Sequence, residues 1–406
     1  MVRFYAIVFC LLMGFLVPIK ARSLPIPVEL ESHLSQAATA TYNLDFNLSE
    51  HHLSLTEQLA PGHPAPYFLR VMNTWYNLSY DSLLKRDNNL ERLLLIRADE
   101  TIRVAKVYAK NRENRAVAYL YWGGALGAKG WYHVSRKQWL RAYFSGKKGL
   151  ELVQKAIELD PQVYESNLGI GMYEYYASTL GPLLKALSSF MIRGNKQSAI
   201  EKLELAENRS KLVGIEAAYF LWNAAMDENR MADARLKLAH LYRVYPESPL
   251  FKWCEIQINF YERKWAEVMV LADVYIAAAV RRAEHSGNTA QSSKLLAKVY
   301  YHAGLAAENS GQLDRAQTYF IAASNAPAEF AGWKVMALLE RGKIYDLDGK
   351  RNESLAMYHL VLSLPEFWDC HKFARKYRKE PYSQAEPNAH SIIRSPLEFW
   401  KAEINN

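Results

Sequence analysis

The sequence predicts an all-α fold, a solenoid of helical hairpins, and three observations carry that prediction. Ala199, Ala234, Val268, Ala316 and Ser354 recur at intervals of 35, 34, 48 and 38 residues, Val268 being the poorest match. A near-constant period of this size marks a repeat architecture rather than one closed core. Five residues before each of them stands Gly194, Asn229, Arg263, Gly311 or Gly349, where tolerance of positive φ suits a turn between helices. Four and seven residues after them come Leu203 and Ala206, Leu238 and Leu241, Ala272 and Tyr275, Phe320 and Ala323, and Tyr358 and Val361. That spacing buries one face of a helix. With half of the residues apolar and 13% aromatic, the chain has ample core material, which excludes disorder over most of its length.

The stretch Tyr300 to Pro327, YYHAGLAAENSGQLDRAQTYFIAASNAP, shows the unit most fully. Gly304 and Ala307 sit on a first helical run, Gly311 at a turn, Ala316, Phe320 and Ala323 on a second run, and Pro327 at the end. This hairpin resembles the tetratricopeptide repeat (TPR), whose unit places small residues where its two helices cross and a proline near its close. The resemblance spans roughly Asp45 to Pro365 and is most specific from Gly194 onward. It implies a right-handed superhelical solenoid of about eight hairpins.

At the N-terminus, Arg3 precedes an apolar run from Phe4 to Ile19, and Ala21-Arg22-Ser23 gives a small-x-small pattern. Residues 1–23 thus have the layout of a secretory signal peptide, and the run falls short of the roughly twenty residues that a transmembrane helix needs. The expectation is export: periplasm or outer-membrane periphery in a Gram-negative source, secretion otherwise. Cleavage after Ser23, to which an uncleaved membrane anchor is the alternative, would remove Arg3, Lys20 and Arg22, so that the formal charge falls from +8 to +5. Cys254 and Cys370 remain, in different units, and two cysteines do not make a disulfide scaffold.

Residues 24–44 read as a weakly patterned lead segment, with Pro25 and Pro27 delaying the first helix. Residues 45–193 read as irregular hairpins. Ser49, Leu53 and Pro61 fall at the small, large apolar and terminal proline positions of a second helix. Ala65 to Tyr80 carries Phe68, Met72, Trp75 and Tyr76 at helical spacing, and Asn88 to Lys110 reads as one long helix with a solvated charged face. Gly123, Gly124, Gly127 and Gly130 form a small-residue groove for close helix packing. Gly127-Ala128-Lys129 lacks both the following Ser or Thr and the preceding strand of a phosphate loop. Lys137 to Leu159 follows as a second helix with Gly149, Val153 and Ala156 at its crossing positions. In the next helix either Gly169 or Gly171 takes the crossing position, and Tyr173, Tyr175 and Tyr176 cannot all face one way.

Residues 180–191, LGPLLKALSSFM, are an apolar insertion that either caps the solenoid or touches a membrane or partner. The regular array occupies 194–365, its long interval explained by a helix extension and a loop at Ser286-Gly287-Asn288. Residues 366–406 form a basic C-terminal capping segment, with Lys372, Arg375, Lys376, Arg378 and Lys379 close together. A polar end is what a repeat array needs. The rival for this tail is an anionic surface, and nucleic acid is not expected to meet an exported protein.

Nothing in the sequence assembles an active site. It has no His-Glu-x-x-His zinc pair, no Gly-x-Ser-x-Gly elbow and no paired-cysteine metal motif, so no enzyme, metal or cofactor is expected. What the resemblance implies instead is a concave groove lined by the first helix of each unit. The positions that face inward in the family include Glu216, Tyr219, Asn223, Trp253, Gln257, Tyr301, Glu308, Lys343 and Asp346. Of these, Tyr219, Asn223, Trp253, Gln257, Tyr301, Glu308 and Lys343 are the expected partner-binding residues. Their mixture of aromatic, amide and charged groups suits a helix or extended peptide held by aromatic anchors, and lacks the Lys/Arg clamp for a terminal carboxylate. The function expected is a protein-interaction scaffold, with an envelope or membrane-associated assembly factor as the alternative.

Overall fold

The computed structural model describes residues 28–81, 88–179, 195–210, 212–286, 295–325 and 331–383. Among these residues there is no strand. The helices are α1 (Val28–Tyr42), α2 (Phe46–Leu59), α3 (Pro64–Asp81), α4 (Asn88–Tyr108), α5 (Arg115–Ser135), α6 (Trp139–Leu159), α7 (Ser166–Thr179), α8 (Lys196–Arg209), α9 (Gly214–Asp227), α10 (Met231–Val244), α11 (Pro249–Tyr261), α12 (Trp265–Ser286), α13 (Leu296–Asn309), α14 (Leu313–Ser324), α15 (Ala331–Leu347), α16 (Arg351–Ser363) and α17 (Cys370–Lys379). They pack as consecutive antiparallel pairs from α1/α2 to α15/α16, with α17 on the last pair. The fold is an all-α solenoid of TPR-like hairpins.

Local chemistry starts several of these helices. The Asp45 and Asn195 side chains accept from the backbone N–H of Leu48 and Ser198 at 3.0 and 3.1 Å, capping α2 and α8. Ser248 caps α11, and Pro249 occupies its first turn, where a missing N–H costs nothing. Turns inside the regular hairpins take left-handed backbone at Asn229 (φ 56°), Arg263 (φ 57°), Gly311 (φ 74°) and Gly349 (φ 71°). These are the expected turn residues, apart from Gly194, which lies outside the described residues.

Small residues let the paired helices touch. A β-carbon on Gly304 would come within 2.5 Å of the Phe320 ring, and one on Gly342 within 2.5 Å of Tyr358. Gly171 settles the open register of α7. Its β-carbon would meet Leu203 at 2.8 Å and the Ala199 carbonyl at 3.0 Å, while Gly169 is exposed. The α5/α6 pair closes through Gly123 and Gly149, whose β-carbons would strike the facing backbone at 2.7 and 2.8 Å. Lys129 stands within α5 and pairs with Asp99 at 2.6 Å, so the phosphate-loop alternative is gone. Tyr175 is buried with its hydroxyl donating to Glu228 at 3.0 Å, and Tyr176 packs its ring on Phe220.

The structure departs from the expected pattern near the N-terminus. The lead segment contains a full helix, α1, whose Leu30, Leu34 and Ala37 pack with Leu53 and Ala65. Its far end joins the large apolar cluster built mainly on α9 to α17, and Ser248 Oγ donates to the Tyr42 carbonyl at 2.7 Å. The chain's first hairpins thus return to the middle of the solenoid.

At the other end, α17 buries Cys370, Ala374 and Tyr377 and turns its cations outward. Arg351 donates to the carbonyls of Tyr377 and Arg378 at 2.9 and 2.8 Å, placing a cation at the negative end of the helix. Cys254 and Cys370 are both free and buried. The long interval in the array corresponds to α12, which runs 22 residues. The signal-peptide pattern, the 180–191 insertion and residues 384–406 lie outside the described residues. No helix among the described residues is long and apolar enough to cross a membrane.

Candidate partner-binding face

The first helices of four successive hairpins, α9, α11, α13 and α15, carry all of the expected contact residues. Their side chains form a ladder. Tyr219 lies flat on Trp222, with ring centroids 5.8 Å apart, and leans on Phe251 of the next inner helix at 6.2 Å. Trp253 meets the His302 ring edge-on at 4.8 Å, and Tyr301 contacts Trp333 at 5.6 Å. The Lys343 ammonium reaches Glu308 across the α13/α15 contact at 3.8 Å.

This ladder corrects part of the sequence expectation. Tyr301 and Lys343 are completely buried, and Trp253, Gln257 and Glu308 nearly so, because inner positions of adjacent units pack on one another and on the chain's own ends. Tyr219 and Asn223 keep half-buried surface. The Asn223 amide donates to the Tyr219 carbonyl at 2.9 Å, which holds the pair together on α9.

The buried part of the ladder is polar but internally matched. Lys343 bonds to Glu340, and its ammonium sits 4.7 Å above the Tyr382 ring. Burial alone would lower the Lys343 pKa, but the Glu340 and Glu308 carboxylates raise it, so the group stays charged. Asp346 accepts from Arg351 at 2.7 Å, from the Tyr358 hydroxyl at 2.8 Å and from the Tyr382 backbone N–H at 2.9 Å. His302 Nδ1 lies 2.8 Å from the Lys298 carbonyl, an acceptor that makes Nδ1 the donor. Burial pushes its pKa down to about 4, so the ring is neutral at pH 7.

On the N-terminal side, Glu216 receives the hydroxyls of Tyr42 at 3.2 Å and of Tyr76. Burial raises the Glu216 pKa against these two donors. The Tyr42 ring also contacts Tyr245 at 5.3 Å and Phe251 at 6.1 Å. Sequence reasoning missed Tyr42 and Tyr382, which lie outside the periodic positions of the array, and it read Tyr76 as part of a helix's apolar face without its contact to Glu216. Beside this contact a cavity of about 160 Å³ is lined by Ser35, Tyr42, Glu207, Ser210, His240 and Tyr245. It is smaller than an ordinary small-molecule pocket of roughly 300 Å³ or more. The Glu207 carboxylate in its wall is already engaged by Lys237 at 2.5 Å and His240 at 2.8 Å.

No protein-family model matches this sequence, and no curated protein matches it. Among solved structures, the chain is similar to the crystal structure of the yeast Tom70, with a TM-score of 0.42 and 12% sequence identity, over 87% of this chain and 89% of that one.

Proposed function

We propose that this chain is a non-enzymatic protein-interaction scaffold that takes a peptide or protein partner on its inner face, with contact centred on Tyr219 and Asn223. The observation that carries this reading is the half-buried aromatic-amide pair on α9, held on a rigid ladder of buried inner positions. A rigid tyrosine with a neighbouring amide offers contact area and hydrogen bonding at small entropic cost. Trp253, Gln257, Tyr301, Glu308 and Lys343 build the wall behind that surface rather than touching the partner. The site of action is outside the cytoplasm, on the strength of the pattern in residues 1–23.

Affinity capture from the cell of origin tests this, with wild type and Tyr219→Ala/Asn223→Ala in parallel. Loss of a specific partner by the folded double variant supports the assignment, and retention of every partner removes it. A second reading, an assembly factor held at an envelope or membrane surface, is favoured by the outward cations of α17, Lys372, Arg375, Lys376, Arg378 and Lys379. Partner capture that survives the groove variant but is lost when these cations are neutralised would select it.

A further inference from the structure

The first half of α6 presents a surface that the groove does not use. Leu140 is 71% exposed and Phe144 65% exposed. With Lys147 they follow the spacing i, i+4, i+7, so all three stand on one face of the helix. Tyr143, half-buried, packs its ring 5.4 Å from Phe144 and supports it from the side. Lys137, Arg141, Lys147 and Lys148 are exposed around the two apolar side chains. Among the described residues, Lys137, Arg141 and Lys147 have no ion pair, and Lys148 has only the neighbouring Glu151 at 3.3 Å. Residues 115–150 hold seven Lys or Arg and no Asp or Glu, so no acid within this segment offsets the cations.

We propose that this face of α6 docks on an anionic lipid surface, with Leu140 and Phe144 entering the headgroup layer and Lys137, Arg141, Lys147 and Lys148 meeting lipid phosphates. The proposal rests on geometry independent of the groove. Two protruding apolar side chains on an exposed helix face are too little to form the core of a protein–protein interface, which needs roughly 1,000 Å² or more of total buried surface. They suit shallow insertion among headgroups, where long basic side chains extend their apolar stems along the layer and keep their charges at the phosphates. The charge complementarity is direct: anionic leaflets attract clustered Lys and Arg, each strengthening binding about fivefold near the surface. Docking of this size is weak and reversible.

Co-sedimentation of the full chain with phosphatidylcholine vesicles, with and without phosphatidylglycerol, tests the proposal. Wild type is compared with Leu140→Ser/Phe144→Ser and with Arg141→Gln/Lys147→Gln, so any binding by residues 1–23 is common to all three. We expect phosphatidylglycerol to increase wild-type partitioning. The apolar variant then loses at least about tenfold of that increment, and the charge variant, with two cations removed, loses about twenty-five-fold, in a salt-dependent way. Variants that partition like wild type, or a wild type indifferent to phosphatidylglycerol, overturn the proposal. Binding of this face to soluble polyglutamate but not to vesicles overturns it in favour of an acidic protein. All four substituted side chains are largely solvent-facing, and if the apolar variant misfolds the charge variant alone supports or overturns the proposal.

Discussion

His302 is neutral because Trp253, Phe260, Tyr301 and Trp333 surround it, and this has a thermodynamic sign. With a folded pKa near 4 and an ordinary value near 6.5, the unfolded chain binds the proton more readily. The stabilising contribution is complete above pH 6.5 and is lost as pH falls through 4, by about 3 kcal/mol at most. Urea unfolding at pH 7 and pH 4.5 should show a smaller acid loss in His302→Phe than in wild type. Lys343 tests the opposite case, a buried cation that is paired. Lys343→Met leaves Glu340 and Glu308 without their cation and should cost about 3–5 kcal/mol in the same measurement. Neither role was legible in the sequence, because inner-row spacing gives a side chain's direction and not what covers it.

At the scale of helices, the hairpin contacts fix how much side chain each crossing accepts. Gly304→Ala or Gly342→Ala would force a β-carbon against Phe320 or Tyr358, and each should lower stability by about 1–3 kcal/mol. Arg263 holds left-handed backbone without being glycine. Arg263→Gly should therefore raise stability by about 0.5–1 kcal/mol in thermal or urea unfolding. These elements were legible because the repeat writes them locally: a turn residue, a small residue five later, and a large one four beyond that. Two things were not. The α7 register depended on which glycine met Leu203, and α1 lacked the repeat's markers, since its apolar face packs on α2 and α3 rather than in a periodic array.

Across the whole molecule, the N-terminal hairpins are tied to the middle of the solenoid through Tyr42, Tyr76, Glu216 and Ser248. In a simple repeat array each unit stabilises only its neighbours, whereas this contact couples segments far apart in sequence. Tyr76→Phe removes a hydroxyl from a desolvated carboxylate and should cost about 1–3 kcal/mol. Hydrogen exchange should then quicken in α1 to α3 and in α9 together, and quickening in α3 alone would show that the closure carries no cooperativity. No local pattern announces such a contact, which is why the array was readable and its closure was not. Tyr219 and Asn223 keep half-buried surface beside this closure. Titration of a captured partner against wild type and Tyr219→Ala/Asn223→Ala, with unchanged helical circular dichroism, tests whether the inner face binds. A scaffold that binds there loses at least about tenfold in affinity in the double variant, and an affinity within about twofold of wild type would contradict that role.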